Sequence, residues 1–320
     1  MKAILCEKYG PPEALRLKEV EKPTVKDNEV LVRVQAASAN PLDWHLIRGA
    51  PILARMSVGL LRPKDPRIGV DGAGRVEAVG KSVTLFKPGD EVFGFCNGSF
   101  AEYAVAQEDR LASKPANVSF EAAAAVPIAG ITALQGLRDK GQIKSGKKVL
   151  INGASGGVGT FAVQVAKSFG AEVTGVCSTR NLDFVRSIGA DHVIDYTKED
   201  YTQGSQCYDL ILDAVGTLSV SAGKRILNPQ GNGVVVGFSG MFRLMRLAIR
   251  GKLTSKTASR KVGMMGARQS GADLADLKEL IEAGKVVPVI DRRYALTQVP
   301  EALGYLEAGH ARGKVVINCV

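Results

Sequence analysis

The stretch that decides the fold reads Lys148-Val149-Leu150-Ile151-Asn152-Gly153-Ala154-Ser155-Gly156-Gly157-Val158-Gly159. Its apolar start predicts a buried strand, and the pattern from Val158 to Phe169 predicts a helix. The glycine-rich turn between them lets the backbone approach a pyrophosphate, which the free N–H groups of the helix N-terminus face. We therefore assign Ser155, Gly156, Gly157 and Val158 to a dinucleotide-binding turn; the alternative is a glycine turn without a ligand.

Strands and helices alternate after this turn. Strand-like runs cover residues 172–177, 192–195, 208–213 and 233–237, which indicates βαβ units and a parallel sheet. The first ~120 residues instead hold short strand-like runs broken by Gly and Pro, which predict an irregular β-rich domain. Runs at 286–290 and 313–317 suit a return to it. We predict a β-rich domain over 1–123 and 266–320, with the α/β domain at 124–265.

The formal net charge of +10 is concentrated near one segment. Eight basic residues and no acid lie between 241 and 268. On a helix over 241–250, the arginines share one face. A peripheral membrane contact is one interpretation, and a solvated face of a helix packed on the core is the one we favour. Aromatic residues make up only 6% of the chain and no RNA-binding motif occurs, so we expect no nucleic-acid partner.

The five cysteines are scattered, and no two have C-x-x-C spacing. This pattern indicates free thiols in a reducing compartment. The N-terminus lacks the long apolar run of a signal peptide, and no apolar run reaches the roughly 20 residues that span a bilayer. We therefore expect a cytoplasmic protein.

The end of the second strand indicates which dinucleotide binds. An NAD site places an acid there to bind the ribose 2′-hydroxyl. Here the segment reads Cys177-Ser178-Thr179-Arg180-Asn181, without an acid. Hydroxyls and a guanidinium suit a 2′-phosphate, so we predict NADPH, bound by Ser178, Arg180 and Asn181. The alternative is that Arg180 is a solvated surface residue.

Several segments together resemble the medium-chain dehydrogenase/reductase superfamily. They are Gly69-Val70-Asp71-Gly72-Ala73-Gly74-Arg75-Val76, Lys87-Pro88-Gly89-Asp90-Glu91-Val92, Ala129-Gly130-Ile131-Thr132-Ala133 and the Gly153–Gly159 turn, in that order. The resemblance implies a doubly wound Rossmann domain and a GroES-like catalytic domain, with the active site in the cleft between them. It also implies a homodimer.

Two substitutions point to the zinc-independent quinone oxidoreductase and enone reductase branch. Zinc-dependent relatives place a Cys ligand at the position of Asn40 and a His ligand at that of Val70. An amide and an aliphatic side chain do not replace a thiolate and an imidazole. The structural zinc lobe needs four clustered cysteines, and the corresponding region holds only Cys96. We therefore expect no metal.

The segment Asn40-Pro41-Leu42-Asp43-Trp44-His45 resembles the Asn-x-x-Asp segment of the quinone oxidoreductases, which often carry Tyr near the position of His45. The resemblance suggests that Asn40 donates a hydrogen bond to the substrate carbonyl or the nicotinamide ribose. His45 would donate to the carbonyl as charge develops, and Asp43 would orient the loop. A packed histidine and a helix-capping acid are the alternatives for His45 and Asp43.

Further cofactor contacts are carried over by resemblance or by their place at strand ends. They are Thr132, Tyr196, Val215, Gly237, Phe238 and Lys314. Because polarising a simple ketone without zinc is hard, we predict hydride transfer from NADPH to a quinone or an α,β-unsaturated carbonyl. The alternatives are a zinc-free carbonyl or alcohol dehydrogenase and a non-catalytic NADPH-binding protein.

Overall fold

The computed structural model describes residues 1–50, 55–237 and 259–320, without the side chains of residues 57 and 58. The predicted helix at 241–250 and the predicted site residue Phe238 lie outside the described residues. The described strands are β1 (Lys2–Leu5), β2 (Arg16–Glu19), β3 (Glu29–Ala39), β4 (Asp71–Val79), β5 (Glu91–Phe95), β6 (Tyr103–Gln107), β7 (Leu111–Ser113), β8 (Lys148–Asn152), β9 (Glu172–Cys177), β10 (His192–Asp195), β11 (Tyr208–Asp213), β12 (Leu227–Val235), β13 (Lys261–Met264), β14 (Ile290–Ala295) and β15 (Lys314–Asn318). The described α-helices are α1 (Pro41–Arg48), α2 (Arg55–Val58), α3 (Phe120–Ala124), α4 (Pro127–Gln135), α5 (Gly157–Ser168), α6 (Leu182–Ser187), α7 (Val220–Ile226), α8 (Gly271–Glu282) and α9 (Val299–Glu307).

Two compact units make up the chain. The first comprises Met1–Ile128, Gln269–Glu282 and Pro288–Val320, and the second comprises Ala129–Arg268 and Ala283–Val287. The predicted boundaries, 123/124 and 265/266, lie close to two of these divisions. In the described ranges, no helix is long and apolar enough to cross a membrane.

The second unit is built on a six-stranded parallel sheet with the strand order β10-β9-β8-β11-β12-β13. Numbered within the unit, this is the 3-2-1-4-5-6 order of the Rossmann fold. Its central strands bury apolar residues such as Leu150, Val176 and Ile211. The sixth strand, β13, falls in the segment that the sequence marked only as basic.

The first unit contains a seven-stranded sheet with the order β14-β15-β3-β4-β5-β7, in which β6 also pairs with β3. The pairs are antiparallel except for β14 with β15. Alternate residues of the long strand β3, including Val30, Val32 and Val34, are fully buried in the core of this unit. The predicted combination of a Rossmann sheet and a β-rich GroES-like domain is confirmed.

One predicted strand is different in the structure. The sequence suggested a strand over residues 286–290, but β14 begins only at Ile290. Pro288 lacks the N–H that a strand ladder needs. The side chain of Gln164 instead pairs with Val287, accepting from its N–H at 2.8 Å and donating to its carbonyl oxygen at 3.0 Å. These bonds explain why residues 283–287 belong to the second unit and not, as predicted, to the β-rich one.

Candidate functional site

The junction between β3 and α1 holds the three residues that were predicted to be catalytic. Asn40 precedes the helix in an extended conformation, and Pro41 occupies the first helical position, where a missing N–H costs nothing. The backbone N–H of Asn40 donates to Asp43 Oδ2 at 2.8 Å. Asp43 therefore caps the start of α1, which was the alternative reading of this residue.

A buried polar cluster forms where β3, β4 and β15 meet. Asp71 Oδ2 accepts from Asn40 Nδ2 at 2.9 Å and from Ser38 Oγ at 3.1 Å, and it lies 3.5 Å from Lys314 Nζ. Asp71 Oδ1 accepts from the N–H of Ile128 at 3.1 Å. Lys314 also donates to Asn40 Oδ1. The cluster could not be read from the sequence, because its members are distant in the chain and meet only through strand register.

The cluster differs from two expectations of the sequence. Both amide hydrogens of Asn40 are engaged, because Nδ2 also donates to the carbonyl oxygen of Ser38 at 3.2 Å. In this arrangement Asn40 has no amide hydrogen left to donate to a substrate carbonyl. Lys314 was expected to reach the cofactor, but its side chain is 4% exposed and its ammonium is bound to acceptors of the first unit.

Burial dominates the titration of these groups. It raises the pKa of Asp43 to about 7, with the Asn40 N–H acting against it and the charge of Asp71 adding to it. Burial also raises the pKa of Asp71, opposed mainly by the Lys314 charge, and it lowers the pKa of Lys314, opposed mainly by Asp71. Within the described residues, Asp43 Oδ1 has no hydrogen-bond partner. An unsatisfied buried oxygen is consistent with a carboxyl group that ionises reluctantly.

Trp44 and His45 stack on each other on α1. Their ring centroids are 3.7 Å apart and the rings are inclined by 29°. Trp44 packs partly on the core of the first unit. Burial lowers the pKa of His45, so its imidazole is neutral around pH 7. A neutral imidazole is able to donate one hydrogen bond, as the predicted role of His45 requires.

The zinc-ligand positions of the family hold an amide, Asn40, and an aliphatic side chain, Val70. Cys96, the one cysteine in the region of the family's structural zinc lobe, is fully buried, and burial raises the pKa of its thiol to about 12. Residues 1–50, 55–237 and 259–320 contain no group of three or more His, Cys, Asp or Glu side chains that could hold a metal ion.

In the second unit, the glycine turn links β8 to α5. Gly153 has φ +81°, which disfavours any side chain, and a Cβ at Gly159 would lie 2.0 Å from the Gly153 carbonyl oxygen. Gly156 is the N-cap residue of α5, and no described side chain caps this helix end. The first turn of α5, which begins at Gly157, therefore has N–H groups that can face an anion. The N–H of Gly156 is not one of them, because it donates to the carbonyl oxygen of Gly153 at 3.0 Å. The predicted contacts of Gly156, Gly157 and Val158 with a cofactor stay predictions.

The end of β9 is tied to this turn by one amide. Asn181 Nδ2 donates to Ser155 Oγ at 3.0 Å and to Ser178 Oγ at 3.3 Å. Asn181 is buried, and its Oδ1 has no hydrogen-bond partner among the described residues. Arg180, between Ser178 and Asn181, is exposed. Three predicted cofactor residues are thus brought together, with an unused acceptor beside them.

An acid that the sequence analysis missed lies next to this group. Asp195 ends β10 and accepts hydrogen bonds from Thr179 Oγ1 and from the N–H and Oγ1 of Thr197. The hydrogen bond from Thr179 is the main reason why the pKa of Asp195 is lowered. The acid that marks an NAD site follows the second strand, whereas Asp195 ends the third. The carboxylate oxygens of Asp195 accept from the hydroxyl groups of Thr179 and Thr197 at this edge of the sheet.

A second missed residue, Asp213, shapes the loop after β11. Its fully buried carboxylate accepts from Asn152 Nδ2 at 2.8 Å and from the N–H groups of Val215, Gly216 and Leu218. Val215 is brought beside Gly153, where an added Cβ would meet Val215 Cγ2 at 2.7 Å. The signal was the acid that ends the strand Tyr208–Asp213.

The remaining predicted cofactor residues of the second unit have diverse surroundings. A Cβ at Gly237 would lie 2.4 Å from the carbonyl oxygen of Ala214, so Gly237 adjoins the loop that Asp213 shapes. Tyr196 is 59% exposed after β10, and its N–H donates to the carbonyl oxygen of Cys177 at 3.1 Å. Thr132 lies on α4 and is 8% exposed. Their contacts with a cofactor stay predictions.

Comparisons with known proteins cover almost the whole chain. Residues 26–116 match the alcohol dehydrogenase GroES-like domain, and residues 188–317 match the zinc-binding dehydrogenase family. The NAD(P)H oxidoreductase RTN4IP1, mitochondrial, of Bos taurus is 36% identical, over 100% of this chain and 89% of its own. The NADPH-dependent alkenal/one oxidoreductase, chloroplastic, of Arabidopsis thaliana is 34% identical over 99% and 79%.

These names correct the expected location. The expectation of a cytoplasmic protein is wrong, because the bovine relative is named mitochondrial and the Arabidopsis relative chloroplastic. The expectation rested on the missing apolar run of a secretory signal. Organelle transit peptides are amphipathic and carry no such run, so this criterion does not separate the cytoplasm from an organelle.

A solved structure extends the comparison to the arrangement of the backbone. The quinone oxidoreductase of Coxiella burnetii is 32% identical, with a TM-score of 0.87 over 99% of both chains. This structure, the matched families and the relatives all agree with the strand order and the glycine turn described above. The chain belongs to the medium-chain dehydrogenase/reductase superfamily of oxidoreductases, in its quinone oxidoreductase and enone reductase branch.

Proposed function

We propose that this protein is an NADPH-dependent oxidoreductase that reduces a quinone or an α,β-unsaturated carbonyl by hydride transfer, without zinc. The observation that carries the proposal is the joined edge of β8 and β9, where Asn181 links Ser155 of the glycine turn to Ser178. The names of the Arabidopsis and Coxiella proteins, an alkenal/one and a quinone oxidoreductase, support the class of substrate.

The residues at this edge fit a dinucleotide. The first turn of α5 offers N–H groups to a pyrophosphate, and the glycines leave room for the close approach of the backbone. The unpartnered Oδ1 of buried Asn181 is an acceptor that suits a hydroxyl donor. Bound NADPH supplies the hydride of the reaction, while the protein orients the cofactor and shapes the field around it.

The preference for NADPH over NADH rests on the end of β9. Ser178, Thr179 and Arg180 stand where an NAD site has an acid, and a guanidinium suits a phosphate. Asp195 is close to Thr179 and acts against a second negative charge. Lys198 Nζ lies 3.8 Å from Asp195 Oδ2, and its positive charge partly offsets this opposition.

The proposal of a zinc-free reaction rests on the donor set in the first unit. Asn40 and Val70 stand at the family's zinc-ligand positions, and Asn40 is committed to Asp71 and Lys314. Without a Lewis acid, an acceptor whose conjugation spreads the developing charge is easier to reduce than a simple ketone. His45 is the side chain of α1 that we propose to donate to the carbonyl. Asp43 and Asn40 position this helix.

The proposal extends to the partners. The substrate is a small molecule, and the protein is a homodimer by resemblance to its family. The peripheral membrane contact through residues 241–268 stays a minor hypothesis. It is abandoned if the protein does not bind anionic liposomes at low salt.

The proposed function is tested by following NADPH oxidation with a 1,4-quinone, an alkyl enone, an enal and a simple ketone, each with and without a chelator. Turnover of the quinone or enone that is insensitive to the chelator supports the proposal. Turnover of the ketone alone, or a loss of activity with the chelator, contradicts it. Tight NADPH binding without turnover favours a non-catalytic binding protein.

A further inference from the structure

Lys314 is a buried cation that binds the junction between β3 and α1. The antiparallel pairing of β15 with β3 places Val315 opposite Ala39, which brings Lys314 to this junction. Its Nζ donates to the carbonyl oxygen of Ala39 at 3.2 Å and to Asn40 Oδ1, and it lies 3.5 Å from Asp71 Oδ2. Three acceptors thus match the three hydrogens of the ammonium.

Asn40 connects the Lys314 ammonium to the start of α1. Its Oδ1 is bound by Lys314 and its Nδ2 by Asp71, so the amide has one fixed orientation. The next residue, Pro41, begins α1, which carries Trp44 and His45. A displacement of the Ala39–Asn40 backbone would therefore move the helix start that sets the position of His45.

Packing alone does not explain a charge at this place. A buried ion pair loses the hydration of both groups, and apolar residues of similar volume are often equally stabilising. The acceptors that Lys314 binds include a strand-end carbonyl and the side chain that precedes the helix. An apolar side chain of the same size fills the space but donates to neither acceptor, so Asn40 Oδ1 loses the hydrogen bond from Lys314.

We propose that Lys314 is a positioning residue, whose ammonium fixes the Ala39–Asn40 junction and thereby the orientation of Trp44 and His45 on α1. The effect on catalysis rests on the proposed function. The effect on the helix does not, because Trp44 is the single tryptophan of the chain and reports on α1 directly.

Lys114 provides a matched control. It also belongs to the first unit, and its side chain is 7% exposed. Its Nζ donates to the carbonyl oxygens of Pro115 at 3.0 Å and Val118 at 2.8 Å, and it lies 3.3 Å from Glu91 Oε2. Lys114→Met therefore removes a comparable ammonium, with two carbonyl partners and one carboxylate, away from α1.

The first experiment measures the emission and acrylamide quenching of Trp44 in the full chain. Lys314→Met is expected to change both, and Lys114→Met is expected to leave both unchanged. Because an unpaired Asp71 threatens folding, the double variant Asp71→Asn/Lys314→Met is measured as well. We expect it to recover thermal stability but to keep the altered Trp44 signal, since methionine cannot donate to Ala39 and Asn40. An unaltered signal in the double variant overturns the proposal.

The second experiment measures enone turnover. We expect kcat to fall about 10- to 100-fold in both Lys314 variants, as for a misplaced catalytic group, while the affinity for NADPH is unchanged. Lys114→Met should keep the wild-type kcat. Recovery of wild-type kcat in the double variant overturns the positioning role. A wild-type protein without turnover contradicts the proposed function only, and the Trp44 measurement then decides on Lys314.

Discussion

Asn181 and Ser155 are joined by a hydrogen bond of 3.0 Å between the amide nitrogen and the hydroxyl oxygen. Ser155 belongs to the turn after β8, and Asn181 follows β9. The bond fixes the glycine turn against the neighbouring strand end. It therefore couples the predicted pyrophosphate site to the residues that we propose to select the 2′-phosphate.

Replacing Asn181 tests this coupling. Asn181→Ala removes the donor to Ser155 and the unpartnered Oδ1, and we expect the Kd for NADPH to rise about tenfold, the equivalent of one or two hydrogen bonds. Isothermal titration measures this affinity. Asn228→Ala is the control, because Asn228 Nδ2 also donates to a partner of the second unit, Asp209 Oδ1, at 3.1 Å. Equal affinities of the Asn181 variant and the wild type would remove Asn181 from the site.

Arg180 tests the preference for the phosphorylated cofactor. Arg180→Ala is expected to lower the affinity for NADPH about tenfold, because a charge-assisted contact to the 2′-phosphate is lost at an exposed site. The affinity for NADH should stay nearly unchanged. Arg186→Ala, which removes an exposed arginine paired with Asp183 on the next helix, serves as the control. If both cofactors weaken equally, Arg180 does not select the phosphate.

Gly159 tests the contact between α5 and the glycine turn. A Cβ there would lie 2.0 Å from the Gly153 carbonyl oxygen, so Gly159→Ala must displace the helix or the turn. We expect a loss of stability of about 1–3 kcal/mol and weaker NADPH binding. Gly266→Ala is the control, since nothing lies within 4 Å of its added Cβ. Wild-type stability and cofactor affinity in the Gly159 variant would contradict the described packing.

The raised pKa of Asp43 predicts a pH dependence of stability. The unfolded chain releases this proton near its ordinary pKa of 3.8, whereas the folded chain keeps it until about 7. Stability from this group is therefore complete below pH 3.8 and is lost as the pH rises to about 7. The loss amounts to about 4 kcal/mol for a shift of this size.

Asp43→Asn removes this titration. Denaturant unfolding at several values between pH 4 and pH 8 should show that the wild type loses more stability than the variant as the pH rises. Asp183→Asn is the control, because the Asp183 side chain is fully exposed. Parallel pH profiles of wild type and the Asp43 variant would show that the buried carboxyl does not hold its proton.

The sequence was sufficient for five of the six strands of the Rossmann sheet because the pattern there is local, whereas β13 lies in the segment that was marked only as basic. The apolar run before Gly153 and the alternating strands after it predicted the parallel sheet, and the family resemblance supplied the β-rich unit. The strand expected at 286–290 was wrong because apolar composition does not show that Gln164 pairs with Val287.

How far each site could be predicted also depended on whether its residues follow a local pattern in the sequence. Ser155, Ser178 and Asn181 lie near strand ends whose meeting follows from parallel pairing. Asp195 and Asp213 also end strands, but these are the third and fourth of the sheet, whereas the acid typical of an NAD site follows the second. The contact of Lys314 with Asn40 spans most of the chain and depends on the register of β15 with β3. No local pattern encodes such a contact.

The most direct test of the central claim follows the transferred hydrogen itself. An enone is reduced with NADPH that carries deuterium at the transferable position of the nicotinamide ring, in the presence of a chelator, and the product is analysed by NMR. The account predicts deuterium on the β-carbon of a saturated ketone. Deuterium on the carbonyl carbon of an alcohol, or deuterium that stays in the cofactor, would contradict it.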